Sequence, residues 1–204
     1  MEAGADDYLT KPFNSAELRM RVSIGERILK LETRLREMAA HDRLTGLFNR
    51  YAFDHRLADE VERARRYGRP LSFILLDLDH FKHYNDSHGH PQGDALLSEF
   101  GSVLTAGVRA TDFIARYGGE EFAIILPETD AANALVVAEK IRTATQAYPF
   151  PRRESQPGGA ITVSVGVASF PAPIADSAKL LESADRALYQ AKHAGRNRVA
   201  ASPA

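Results

Sequence analysis

The sequence predicts an α/β (α+β) fold, a central sheet flanked by helices and preceded by a long N-terminal helix. Three observations carry that prediction. Leu71–Asp77 is a continuous apolar run of strand length ending in a carboxylate, which suggests a central buried strand. Further strand-like runs alternate with amphipathic helical stretches along most of the chain. The 204 residues give one domain with a real core and some chain to spare.

Composition narrows the chemistry. The 26 Lys+Arg balance 27 Asp+Glu, a net charge of −1 that excludes a basic chain gripping nucleic acid by bulk charge. With no Cys, disulfides, thiolate zinc sites, Fe–S clusters and cysteine nucleophiles are all excluded, so a metal must be held by O or N ligands. No apolar run reaches the roughly 18 residues of a membrane span, and the N-terminus does not read as a signal peptide. The expectation is a cytoplasmic protein.

In chain order, Tyr8, Leu9 and Thr10 read as a short strand stopped at Lys11–Pro12. Asn14 or Ser15 caps a helix, with Glu17 in its first turn, that runs to about Ala40 and is interrupted only by Gly25. Ile24, Ile28, Leu31, Leu35 and Met38 recur at spacings of 4, 3, 4 and 3. This heptad seam predicts either a dimerising helix or one packed on its own domain. Arg50–Tyr67 is amphipathic, with Phe53, Leu57, Val61 and Ala64 on one face. After the Leu71–Asp77 strand come helical segments near 79–86 and 92–108. Phe113–Tyr117 and Phe122–Leu126, separated by Gly118-Gly119-Glu120-Glu121, predict a β-hairpin. Ala131–Ala147 is a helix, Tyr148–Gly159 a loop with three Pro, and Ile161–Phe170 a strand. Ser177–Ala194 is a helix stopped by Gly195, and Arg198–Ala200 a last short strand.

Acidic residues cluster at two strand tips, Asp77 with Asp79 and Glu120 with Glu121. If these strands are neighbours, three or four carboxylates share one pocket, an oxygen-only set that suits Mg²⁺ completed by substrate phosphates. Two ions there would activate a hydroxyl and stabilise a leaving pyrophosphate. Asp at a strand end and paired Glu also occur in ordinary solvated turns. Gly118-Gly119 permits positive φ and close approach of a ligand, or simply a hairpin turn. A helix beginning at Phe81–Lys82 directly after a strand presents free N–H groups to a phosphate. Asn85 and Asp94 together suit a purine edge, and a carboxylate accepting from N1–H and N2–H selects guanine. No P-loop motif is present.

These residues resemble the GGDEF family of diguanylate cyclases. Its signature stands as Gly118-Gly119-Glu120-Glu121-Phe122 after Arg116-Tyr117. Asp42-Arg-Leu-Thr-Gly-Leu-Phe-Asn-Arg50, the Asp77–Asp94 stretch and Ala187–Asn197 match the family's other motifs, in order over roughly 41–200. The first 13 residues resemble the tail of a response-regulator receiver domain, with Lys11-Pro12 as its Lys–Pro pair. The expected division is 1–22 receiver remnant, 23–40 helical linker and 41–204 GGDEF domain. The receiver's phospho-accepting strand is missing, so the chain resembles a truncated two-component regulator.

The resemblance implies a palm-like fold with a mostly antiparallel sheet, and condensation of two GTP into cyclic di-GMP with release of two pyrophosphates. It implies Mg²⁺, or Mn²⁺ in its place, with two ions per active site. Asp77, Glu120 and the Leu78 carbonyl would be protein ligands; Glu121 would assist deprotonation of the 3′-OH or hold the second ion. Phe81 and Lys82 would meet the phosphates through backbone N–H groups. Lys192 and Arg196, expected at i and i+4 on one helix face, would reach the phosphates with side-chain charge, and both also suit a helix C-terminus. Asn85 and Asp94 would read guanine, with His90 near that segment, and Gly118 and Gly119 would let the nucleotide approach closely. Arg109-Ala-Thr-Asp112 resembles an inhibitory RxxD site for cyclic di-GMP. A homodimer would place two GTP face to face, through the half-sites and the N-terminal helix. The rival readings are a non-catalytic GTP or cyclic di-GMP receptor module and a single-nucleotide cyclase.

Overall fold

The computed structural model describes residues 14–38, 40–170 and 176–202. The strand expected at Tyr8–Thr10, the Lys11–Pro12 pair and the rest of residues 1–13 lie outside the described residues. The chain divides into two compact units, Met1–Ala39 and Ala40–Ala204.

In the first unit, helix α1 (Ser15–Met38) starts where the sequence places it, with Asn14 Oδ1 accepting from the Ala16 N–H at 2.8 Å. It runs through Gly25 and past position 22 without a break. Arg21 pairs with Glu17 at 3.0 Å one turn away. The seam residues Ile24, Ile28 and Leu31 are about half exposed, at 53%, 54% and 49%.

The second unit contains β1 (Phe48–Asn49), α2 (Arg50–Tyr67), β2 (Leu71–Leu78), α3 (Phe81–His88), α4 (His90–Gly107), β3 (Phe113–Arg116), β4 (Glu121–Pro127), α5 (Ala131–Ala147), β5 (Val163–Phe170), α6 (Ser177–His193) and β6 (Val199–Ala201). The six strands form one sheet in the order β1-β3-β4-β2-β5-β6. The four central strands pair antiparallel, while both edge strands pair parallel. All eight residues of β2 are buried because helices cover both faces of the sheet. Side chains alternate across a strand, so Ile74, Leu76 and Leu78 pack with α3, α4 and α5, whereas Phe73 and Leu75 pack with α2 and α6. This two-faced burial is why β2 reads as an unbroken apolar run.

Helix α2 has the predicted bounds and the predicted buried face. Asn49 Oδ1 caps it from the Ala52 N–H at 3.0 Å, and Gly68 ends it at φ +62°. The loop 148–159 contains two short 3₁₀ turns, Arg153–Ser155 and Pro157–Gly159. Strand β1 has no counterpart in the sequence reading. It is two residues long and pairs with β3, whose partner residues Ala115 and Arg116 lie far along the chain.

The seat of α6 depends on Gly166 in β5. A Cβ there would stand 2.2 Å from the Ala184 carbonyl oxygen and 2.4 Å from the Leu188 nitrogen, both helix backbone. Backbone cannot swing aside as a side-chain end can. Gly166→Ala is therefore expected to destabilise the domain by about 3 kcal/mol, the upper range for core overpacking. Urea unfolding measures this, and an unchanged midpoint would contradict the packing of α6 on β5.

Candidate active site

The β2 and β4 register sets Asp77 opposite Glu121, with Ser164 of β5 on its other side. The Leu78 N–H donates to the Glu120 carbonyl oxygen at 3.3 Å, closing the tips of β2 and the β3–β4 hairpin together. Asp77 is 6% exposed, and its Oδ2 lies 2.6 Å from Lys192 Nζ near the end of α6. Burial pushes the Asp77 carboxyl above its ordinary range against the pull of Lys192, with Glu121 and Asp79 adding to the rise. Burial also raises Glu120, with the Asp77 charge next in weight, Lys192 opposing and Glu121 adding. The strand tips thus gather more negative charge than one ammonium group offsets. A divalent cation would supply the missing positive charge, so the residues present fit the expected ion. Among the described residues no three Asp, Glu or His side chains stand together as a ligand set. Mg²⁺ asks less of a protein, one or two carboxylates with substrate phosphates.

Asp79 does not join this pocket as a free carboxylate. It is 4% exposed and accepts from Thr162 Oγ1, Ser164 Oγ and the Asn197 N–H. Asp77, Glu120 and Glu121 remain and act on one another through their charges, but they do not stand together as a three-carboxylate ligand set, so the expectation of three or four converging carboxylates is not met.

The Gly-Gly turn works differently from expectation. Neither Gly118 nor Gly119 adopts positive φ. Both the Tyr117 and Gly118 N–H groups donate to the Glu121 carbonyl oxygen, at 2.8 and 3.1 Å. A Cβ on Gly118 would stand 2.5 Å from Glu121 Oε2, while one on Gly119 meets nothing within 4 Å. Gly118 therefore makes room for the Glu121 carboxylate, and Gly119 leaves the tip open.

Helix α3 starts at Phe81 behind His80, which sits at φ +59° and gives no side-chain cap. Its first N–H groups keep the free donors that suit a phosphate. Phe81 is buried and Lys82 exposed. Asn85 Oδ1 is buried without a hydrogen-bond partner. A Cβ on Gly93 would stand 1.8 Å from that oxygen, so Gly93 lets α4 lie against Asn85. Asp94 and His90 are exposed on the first turns of α4.

Arg196 requires a correction. Helix α6 ends at His193, and Arg196 lies beyond it at φ +61°, between Gly195 at +113° and Asn197 at +45°. It does not share a helix face with Lys192. The Gly195 stop comes too early for an i, i+4 relation to persist.

One part of the site was not assigned from sequence. Arg116 donates to the Gly119 carbonyl oxygen (Nη2, 2.7 Å) and pairs with Asp42 at 3.3 Å. Asp42 also accepts from Thr45 N and Oγ1 at 2.9 and 2.8 Å. Burial alone would raise Asp42, but the Thr45 hydrogen bonds and the Arg116 charge outweigh it and leave the carboxyl below 3.8. Its contribution to stability is therefore present above that value and lost as pH falls through the lowered one. The D-x-x-T spacing was a usable signal for the Thr45 contact; the Arg116 partner 74 residues away was not. Arg116→Ala is expected to speed amide exchange in the turn at residues 118–121 by about tenfold, the order of one charged hydrogen bond. Exchange at the wild-type rate would contradict the staple.

Arg109 and Asp112 form a turn at the other end of the β3–β4 hairpin. Asp112 Oδ2 accepts from the Arg109 N–H at 2.8 Å, and the Asp112 N–H returns to the Arg109 carbonyl at 3.0 Å. Arg109 borders an open cleft of about 460 Å³ with Arg56, Arg63, Thr111 and Glu128. No described helix is long and apolar enough to cross a membrane.

The structure thus brings carboxylates to the adjoining ends of the central strands β2 and β4, beside the Gly-Gly hairpin. Residues 39–198 match the family model described as diguanylate cyclase, GGDEF domain, and the chain belongs to this family. It is 39% identical over 206 residues to the response regulator PleD of Caulobacter vibrioides, covering 98% of this chain and 45% of PleD. Diguanylate cyclase DgcP of Pseudomonas aeruginosa is 44% identical over 164 residues, 80% of this chain and 24% of that protein. The chain thus spans less than half the length of these curated relatives. The GGDEF domain of DgcB from Caulobacter crescentus, solved in complex with c-di-GMP, superposes with a TM-score of 0.74 at 41% identity, covering 80% of this chain and 96% of that one.

Proposed function

We propose that this chain is a metal-dependent diguanylate cyclase that joins two GTP into cyclic di-GMP across a homodimer. The observation that carries the reading is the Asp77–Glu120–Glu121 cluster, two of whose carboxyls are raised by burial and mutual charge. Asp77, the Leu78 carbonyl and Glu120 would hold Mg²⁺ or Mn²⁺, with Glu121 holding the second ion or taking the 3′-OH proton. The ions would supply charge stabilisation for the nucleophile and the leaving pyrophosphate. Lys192, held against Asp77 at 2.6 Å, would turn to the triphosphate with Lys82 and Arg196. The uncapped Phe81 and Lys82 N–H groups would bind phosphate oxygens. Asn85 and Asp94 would select guanine, which offers N1–H and N2–H donors where adenine does not; His90 lies between them in the sequence, and the Gly118-Gly119 turn would let the nucleotide approach closely. The half-exposed apolar seam of α1 supports pairing with a second copy.

Similarity to PleD over 98% of the chain favours the reading of residues 1–13 as the end of a receiver domain. The Arg109–Asp112 turn, on its arginine-lined cleft, supports product inhibition. Arg109→Ala is expected to raise the cyclic di-GMP concentration needed for half inhibition by about tenfold or more, as loss of a charged contact requires. Unchanged inhibition in a titration of turnover with product would reject the site. The test of the reading as a whole is incubation with GTP and Mg²⁺. Cyclic di-GMP is the expected product, whereas bound but unconverted GTP would favour the receptor module.

A further inference from the structure

We propose that Asp79 is a positioning residue that fixes the loop carrying Arg196 against the tip of β2. Its carboxylate is almost fully buried, and its three donors are all uncharged. Oδ1 accepts from Ser164 Oγ at 2.7 Å. Oδ2 accepts from Thr162 Oγ1 at 2.7 Å and from the Asn197 N–H at 3.0 Å. Its own N–H donates to the Thr162 carbonyl oxygen at 2.9 Å. A buried carboxylate leaves water only when its oxygens are satisfied, and here that satisfaction binds two separate segments, the start of β5 and the loop at Asn197, to one residue.

The Asn197 bond matters most. Asn197 N belongs to the peptide that joins it to Arg196, so Asp79 holds that peptide two residues from Asp77. The loop needs holding, because Gly195, Arg196 and Asn197 all stand at positive φ, and two of them carry side chains that disfavour it. From the other side, Arg142 Nη1 donates to Asn197 Oδ1 at 3.0 Å, and Asn197 Nδ2 to Gln146 Oε1 at 3.2 Å. The loop is clamped between α5 and the β2 tip, and the Arg196 side chain is left exposed. Asp79 thus determines where the Arg196 charge stands relative to the carboxylates at the strand tips. The proposal rests on the reading that Arg196 meets the triphosphate.

Calorimetric binding of 3′-deoxy-GTP, which cannot be cyclised, and of GMP, both with Mg²⁺, tests it. Asp79→Ala is expected to weaken 3′-deoxy-GTP by about tenfold, the order of one charged contact, and to leave GMP unchanged. In an Arg196→Ala background the same substitution should cost nothing further, as coupled residues require. Asp79→Asn should retain affinity, because its amide oxygen still accepts from Asn197 and Thr162 while the Ser164 hydroxyl can reverse and accept from the amide N–H. Equal weakening of both nucleotides, or additive losses in the double variant, would overturn the proposal. An Arg196→Ala variant with normal affinity would overturn the triphosphate assignment itself. Should Asp79→Ala not fold, Thr162→Val removes one donor and is expected to weaken 3′-deoxy-GTP selectively, by about threefold; an unchanged affinity would overturn the proposal.

Discussion

Glu120→Gln is expected to reduce metal-dependent formation of cyclic di-GMP by about 10³-fold, the scale of losing an electrostatic contact to a reacting phosphate. The chain should stay folded. Glu120 sits at the hairpin tip, and its backbone carbonyl, which survives the substitution, accepts the Leu78 N–H. Burial and the neighbouring Asp77 raise its carboxyl, so its ionised form costs folding stability above the ordinary carboxylate range. Removing that charge leaves stability unchanged or slightly higher at neutral pH. Turnover measured beside urea unfolding separates the two effects. Turnover retained at the wild-type rate would refute Glu120 as a metal ligand, and a lowered unfolding midpoint would refute the electrostatic account of the cluster.

A chain beginning at Ala40 is expected to lose about 100-fold in turnover per subunit at micromolar protein and to recover it as concentration rises. Both hydrophobic clusters lie within residues 44–199, so the second unit keeps its whole core without α1. What it loses is the exposed seam of Ile24, Ile28 and Leu31. A tether that pairs two copies raises their mutual effective concentration toward the millimolar range, about 10²–10³ above micromolar. Turnover at several protein concentrations checks this. Equal rates per subunit with and without residues 1–39 would remove α1 from the encounter.

Much of this domain was legible because its signals are local. Asn49, a 3.6-residue apolar period and Gly68 delimit α2 within one stretch of chain. The β2 run reads as a central strand because helices cover both of its faces. What escaped reading depends on residues distant in sequence. Asp79 receives donors 83, 85 and 118 residues away, and Asp42 meets an arginine 74 residues on. Strand β1 has only two residues, too few for any period, and exists through its pairing with β3. The Gly-Gly pair suggests backbone freedom in the sequence, yet Gly118 has no positive φ and instead lies where the Glu121 carboxylate approaches closely. An i, i+4 spacing from Lys192 suggests a shared helix face for Arg196, but α6 ends before Gly195. The residue types of the candidate site were visible throughout; their spatial relations were not.

Paired half-sites built on Asp77 and Glu120 are proposed to join two GTP molecules. The most direct measurement is the mass and the rate of formation of the product from GTP and Mg²⁺ across a range of protein concentrations. Cyclic di-GMP, formed at a rate per subunit that rises with protein concentration, is the predicted result. Cyclic GMP at a constant rate per subunit, or no product at any concentration, would contradict it.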